Sequence, residues 1–146
     1  MNILGEILQN NTITVPVLSW FIAQSIKVAV KILRDRKFDF TLFVSSGGMP
    51  SSHSSFTVSL AVVLGKNYGW GSGLFGLSVA FALIVMYDAA GVRRAVGKQA
   101  KVLNKLIHTH MDRPQLEQKL KELVGHTPLE VFMGALLGIV VGLLLG

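Results

Sequence analysis

From Gly47 to His53 the chain reads GGMPSSH. Adjacent glycines let consecutive backbone N–H groups converge, and such a nest holds anions. Ser51 or Ser52 can cap a following helix and offer a hydroxyl, and the start of that helix carries partial positive charge. An anion held there would lie beside His53, whose imidazole exchanges a proton near neutral pH. The same letters also describe an ordinary serine-capped helix after a Gly-Pro turn. Other ionisable candidates are Lys27, Lys31, Arg34, Arg36, Lys37, Asp88, Arg93, Arg94, His126 and Glu130. Cations and imidazoles in this number suit the binding of phosphate.

These residues must be positioned by greasy elements. The 146 residues are 51% hydrophobic with a mean hydropathy of +0.54, which favours a membrane protein over a soluble fold and fits one domain, 1–146. There is no cysteine, which excludes disulfides, thiolate metal sites and a cysteine nucleophile. The formal charge of +6 calls for anionic lipid, nucleic acid or a phosphorylated substrate, and its placement should choose among them. The opening MNILGEILQN lacks the basic start and cleavage site of a signal peptide, so it is expected to be mature sequence. Four apolar stretches approach the length that crosses a bilayer: Ile13 to Leu33, Ser51 to Gly69, Gly71 to Ala90, and Pro128 to Leu145. In the fourth, Gly134, Gly138 and Gly142 form a smooth stripe suited to close helix packing.

Between the last two spans lies a polar insert from Val92 to Gly125. Val96, Ala100, Leu103 and Ile107 recur at helical spacing opposite Lys98, Lys101 and Lys105, which predicts an amphipathic helix. A second helix is expected after Asp112, with Gln115 three residues on and Leu116, Leu120 and Leu123 on one face. The expected architecture is therefore an all-α, polytopic membrane bundle of about four transmembrane helices with an amphipathic helical hairpin at the surface. If the spans alternate, thirteen of the 14 Lys and Arg residues share one side with His53 and His126, and Lys66 alone is opposite. The positive-inside rule makes that side cytoplasmic. Lys31, Arg36 and Lys37 are most simply anchors reaching the membrane boundary, while Lys27 lies deeper.

At this point the motifs carry a resemblance. PSSH, from Pro50 to His53, resembles the Pro-Ser-Gly-His signature of the type 2 phosphatidic acid phosphatase and vanadium haloperoxidase superfamily, with Ser52 in the glycine position. Lys27 and Arg34 match its Lys-x6-Arg-Pro motif, except that Asp35 replaces the proline. The third motif, Ser-Arg-x5-His-x3-Asp, is divided: GVRR supplies Arg93 or Arg94, and GHTPLE supplies His126 with Glu130 in the acidic position. In their order, these segments resemble the small divergent membrane branch of the superfamily over nearly the whole chain.

The resemblance implies metal-independent hydrolysis of a lipid phosphate or diphosphate through a phosphohistidine. By it, Lys27, Arg34, Ser51, Ser52 and Arg93 or Arg94 hold phosphate, His126 attacks phosphorus, Glu130 orients His126, and His53 protonates the leaving oxygen. Glu130 has a rival role, because TPLE is a capping box with Thr127 as N-cap. Asp88 fits no family motif and is either an ion-pair partner that orients Arg93 or Arg94, or part of a structural pair. No metal or other cofactor is expected, since the acidic residues form no closely spaced ligand set and His108 with His110 lacks further ligands. The expected partners are a lipid phosphate and the bilayer, with no nucleic acid; the helices that a six-helix family core would need could come from the N-terminal segment and the hairpin, or from a second subunit of the same chain. The competing class is a noncatalytic scaffold or anionic-lipid binder of the same fold.

Overall fold

The computed structural model describes residues 2–35, 48–110, 120 and 124–146, and every regular element among them is a helix. These are α1 (Ile3–Gln9), α2 (Asn11–Asp35), α3 (Ser52–Tyr68), α4 (Gly73–Ala90), α5 (Val92–His110) and α6 (Pro128–Leu145). Local chemistry sets several of their starts. The Asn10 side chain accepts from Thr12 N at 3.0 Å, ahead of α2. Ser51 and Ser72 accept from Ser54 N and Phe75 N at the starts of α3 and α4. Thr127 and Glu130 form a reciprocal capping box at α6, with Pro128 in the first turn, where its missing N–H costs nothing.

Among the described residues, three stretches are long and apolar enough to cross a membrane: Asn11–Leu33, the one that begins at Gly73, and Pro128–Leu145. The remaining expected span, α3, is 17 residues, about 25 Å long, and less apolar. It sits at the centre, packed against α2, α4 and α6, while α2 and α4 do not touch among the described residues. Its sequence explains this placement. Ser52, Ser54, Ser55, Thr57, Ser59, Ala61 and Gly65 are small and buried, so neighbouring backbones can approach closely. Ser19 of α2 pairs with Ser55 across that contact, Oγ to Oγ at 2.6 Å.

The α6 glycines form the other side of the seam. A Cβ on Gly138 would lie 2.6 Å from the Ser55 carbonyl oxygen, and one on Gly142 would lie 2.7 Å from Val62 Cβ, so only glycine allows this approach. Outward faces carry Phe21, Val30, Leu77, Ile84, Phe132, Leu144 and other exposed apolar side chains, as lipid contact requires. Helices α2, α3, α4 and α6 alternate in direction. At one end Lys66 Nζ donates to the Leu143 and Gly146 carbonyls and Asn67 pairs with Asn11, and at the other lie Lys27, His53, Asp88, Arg93 and His126.

Helix α5 forms as predicted; of its apolar face Ala100 is buried, while Val96 and Leu103 are exposed, as a face laid on a membrane surface would be. The face turned to protein is Gly97, Ala100 and Asn104. Asn104 clasps the Leu120 backbone, donating from Nδ2 to its carbonyl at 2.9 Å and accepting from its N–H at 3.0 Å. Small size and a backbone clasp, neither of which hydropathy registers, decide which face packs. The predicted second arm, with Asp112, Gln115, Leu116 and Leu123, lies outside the described residues apart from Leu120.

Candidate functional site

The site forms where four helix ends meet. Ser51 is fully buried at the N-cap of α3, its hydroxyl accepting from Ser54 N and Ser54 Oγ and its N–H donating to the Glu130 carbonyl at 3.0 Å. The cap ties the start of α3 to the start of α6. His53 follows in the first turn and is exposed, while Ser52 between them is buried. Of the preceding nest, Gly48 is described: it has φ +92, and a Cβ there would lie 3.1 Å from Lys27 Cδ. The absence of a side chain lets this turn lie flat on the buried aliphatic stem of Lys27.

The divided third motif is joined in space. Gly125 has φ +93, and a Cβ on it would collide with the Arg93 and Arg94 backbone. Glycine therefore serves twice here, for its backbone conformation and for its lack of volume. The next residue, His126, donates its N–H to the Ala89 carbonyl at 2.9 Å and is 4% exposed. The insert between Arg94 and Gly125 thus closes back on its own base, at the end of α4.

His126 Nδ1 lies 3.1 Å from Glu130 Oε2, one helical turn on. The same oxygen accepts from Thr127 N at 3.0 Å, while Glu130 N donates to Thr127 Oγ1 at 3.3 Å. The capping box and the contact with histidine, rivals in the sequence, coexist on one carboxylate. Burial pushes the His126 pKa below its ordinary value of 6.5, outweighing the hydrogen bond and charge of Glu130 and a hydrogen bond with the Gly48 backbone, which pull upward; Lys27 adds to the lowering. The ring is therefore neutral at pH 7, with a lone pair on one nitrogen.

The His53 and His126 rings face each other with centroids 6.3 Å apart, inclined by 64°. They line a cleft with Val85, Asp88, Ala89, Arg93 and Gly125. Reacting atoms ~3–3.5 Å from a nitrogen on each ring fit a separation of this order. Arg93 Nε donates to Asp88 Oδ2 at 2.5 Å, leaving the outer guanidinium nitrogens for another acceptor. Arg94 is half-buried beside Arg93 in sequence and does not line the cleft.

The structure thus brings together His53, His126, Glu130, Asp88 and Arg93, with buried Lys27 against the Gly48 turn. Arg34 falls in the last turn of α2 with its side chain outside the described residues, where Arg36 and Lys37 also lie. Sequence reasoning did not single out Gly125, Ala89 or Val85. The pairing of Gly125 with His126 after a long insert was the available signal for the first, and nothing local marks the other two. Among the described residues, no three His, Asp or Glu side chains gather as a metal site would require.

A family model described as the divergent PAP2 family matches residues 8–141. The chain is also 41% identical, over 152 aligned residues, to YuiD of Bacillus subtilis (strain 168), described as an uncharacterized membrane protein; the match covers 96% of each chain. No solved structure matches.

Proposed function

The chain belongs to the divergent PAP2 family, and from that premise we propose that it hydrolyses a lipid phosphate or diphosphate at the membrane surface, without a metal, through a phosphohistidine. The observation that carries the proposal is the joining of Arg93 and His126 in one cleft opposite His53, with Glu130 on His126 Nδ1. A proton held on Nδ1 by Glu130 leaves the lone pair on Nε2. That nitrogen attacks phosphorus as the bond to the leaving oxygen breaks, and the ring's contact with the Gly48 backbone gives way to phosphate.

Protonated His53 gives its proton to the leaving oxygen. Neutral His53 then takes a proton from water, whose oxygen attacks the phosphohistidine. Inorganic phosphate leaves and His126 returns to its starting state. Developing charge on the phosphoryl oxygens would be met by Arg93, Lys27 and backbone N–H groups, with Ser52, Arg34 and Arg94 as further candidates. The Ser51 hydroxyl is engaged in capping, so its support is through the placement of α3. The basic groups at this end make the cytoplasmic side our assignment for the active face.

The test uses detergent-purified protein with phosphatidic acid and with a polyprenyl diphosphate. Turnover should persist in EDTA, be blocked by vanadate, and pass through an acid-labile, base-stable phosphoryl label that disappears in His126→Ala. Metal dependence, or a label retained in that variant, would overturn the mechanism. Tight binding of anionic lipid with no turnover would instead favour a noncatalytic scaffold.

A further inference from the structure

Helix α3 is unevenly covered. Most of its residues from Ser52 to Gly65 are buried, but His53 is exposed and Phe56, Val58, Leu60 and Leu64 are only half-buried, Val58 lying beside Gly138 of α6. Spacings of three, four and four residues place His53, Phe56, Leu60 and Leu64 on one helical face. The other faces are occupied: Ser55 meets α2, Ser59 and Val62 meet α6, and Gly65 meets Phe75 of α4. Since α2 and α4 do not touch each other among the described residues, the uncovered face looks out between them. His53 thus heads an apolar stripe that leads into the membrane.

We propose that this recess holds the hydrocarbon chain of the substrate, with its phosphate between His53 and His126. The inference rests on the lipid-phosphate reading above and adds where the chain lies. From His53 to Leu64 the stripe runs about 16 Å, close to half of the ~30 Å hydrocarbon core, the depth of one leaflet. Val85 extends the apolar lining on the α4 side, since it belongs to the cleft and lies almost one turn deeper than Asp88. The half-burial of Phe56, Leu60 and Leu64 describes a narrow recess, whereas a docked helix of a second copy would need a face open to about 10 Å. A flexible hydrocarbon chain fits that shape, and its head would meet the basic end.

Two measurements on the full chain in phosphatidylcholine vesicles test this. Phosphatidic acid with a photoreactive diazirine in its acyl chain should label Phe56, Leu60, Leu64 and Val85, and unlabelled phosphatidic acid should compete. Labelling confined to the outward faces of α4 and α6, or labelling without competition, would overturn the proposal. Leu60→Trp should narrow the recess and lower at least tenfold the ratio of the rate on long-chain phosphatidic acid to that on a tailless aryl phosphate. An unchanged ratio would also overturn it. If neither phosphate is hydrolysed, the catalytic reading fails while the label map still decides the recess. Spontaneous disulfide-linked dimers of Leu60→Cys would assign this face to a second copy instead.

Discussion

At the scale of single residues, Glu130 carries the sharpest expectation, because one oxygen serves both the helix cap and the histidine. Gln at this position keeps a carbonyl oxygen for the Thr127 N–H but removes the negative charge from the ring. Glu130→Gln should therefore preserve thermal stability while lowering the rate by roughly two to four decades, as with other carboxylate-oriented histidines. A rate equal to wild type would make Glu130 a cap alone. The pH dependence follows from the downward shift of His126. Protonation of that ring is disfavoured in the folded chain, so its contribution to stability is fully present above 6.5 and is lost as pH falls below 6.5 toward the folded value. With an aryl phosphate, which needs little help from an acid, the rate should hold through neutrality and fall only below 6.5. Glu130→Gln removes groups that pull the pKa upward, so the acid limb should move to lower pH. A limb that rises with acidification would contradict a neutral nucleophile.

At the scale of elements, two glycine contacts hold the site together by different means. Gly138 lets α6 lie on the α3 backbone at Ser55 and Ser59. Gly138→Val would force the helices apart and should cost about 1–3 kcal/mol, the usual range for overpacking, measured by thermal unfolding in detergent. Because the displacement begins mid-helix, activity and stability should fall together. Gly125 lies instead at the junction of α4, α5 and α6, where a side chain meets the Arg93 and Arg94 backbone at a φ of +93. Gly125→Ala should pull His126 away from Arg93, cutting turnover at least tenfold with a smaller change in melting temperature than Gly138→Val. The reverse order of stability effects would show that the junction holds the bundle rather than the site.

At the scale of the molecule, charge is strongly polarised along the bundle. Lys66, the one Lys or Arg expected at the far end, has its ammonium engaged by the carbonyls that close α6. Lys66 thereby satisfies helix-end acceptors that a membrane interface would otherwise leave to water. Orientation can be read in this cysteine-free chain with a single introduced thiol. Lys98→Cys in α5 should be protected from an impermeant thiol reagent in intact cells, whereas Asn67→Cys should react. The opposite pattern would place the two-histidine cleft on the outer surface.

Hydropathy, caps and the order of polar motifs are local properties, and they made the membrane class, the helices α2, α3, α4 and α6, and the histidines and basic residues that gather in the candidate site legible from the chain. The motif resemblance likewise pointed to the family to which the chain belongs. What lay beyond it were contacts between residues distant in the sequence. A short span rich in serine becomes the central helix because its small side chains admit three neighbours, although by hydropathy it is the weakest span. The Asn104 clasp on Leu120 engages a face of α5 that its apolar spacing does not mark. Arg93 and His126 meet because Gly125 fits against a backbone, and His126 is held by the Ala89 carbonyl. Periodicity can identify the faces of a helix, but volume and backbone hydrogen bonding decide which neighbour each face meets, and only the tertiary structure supplies those.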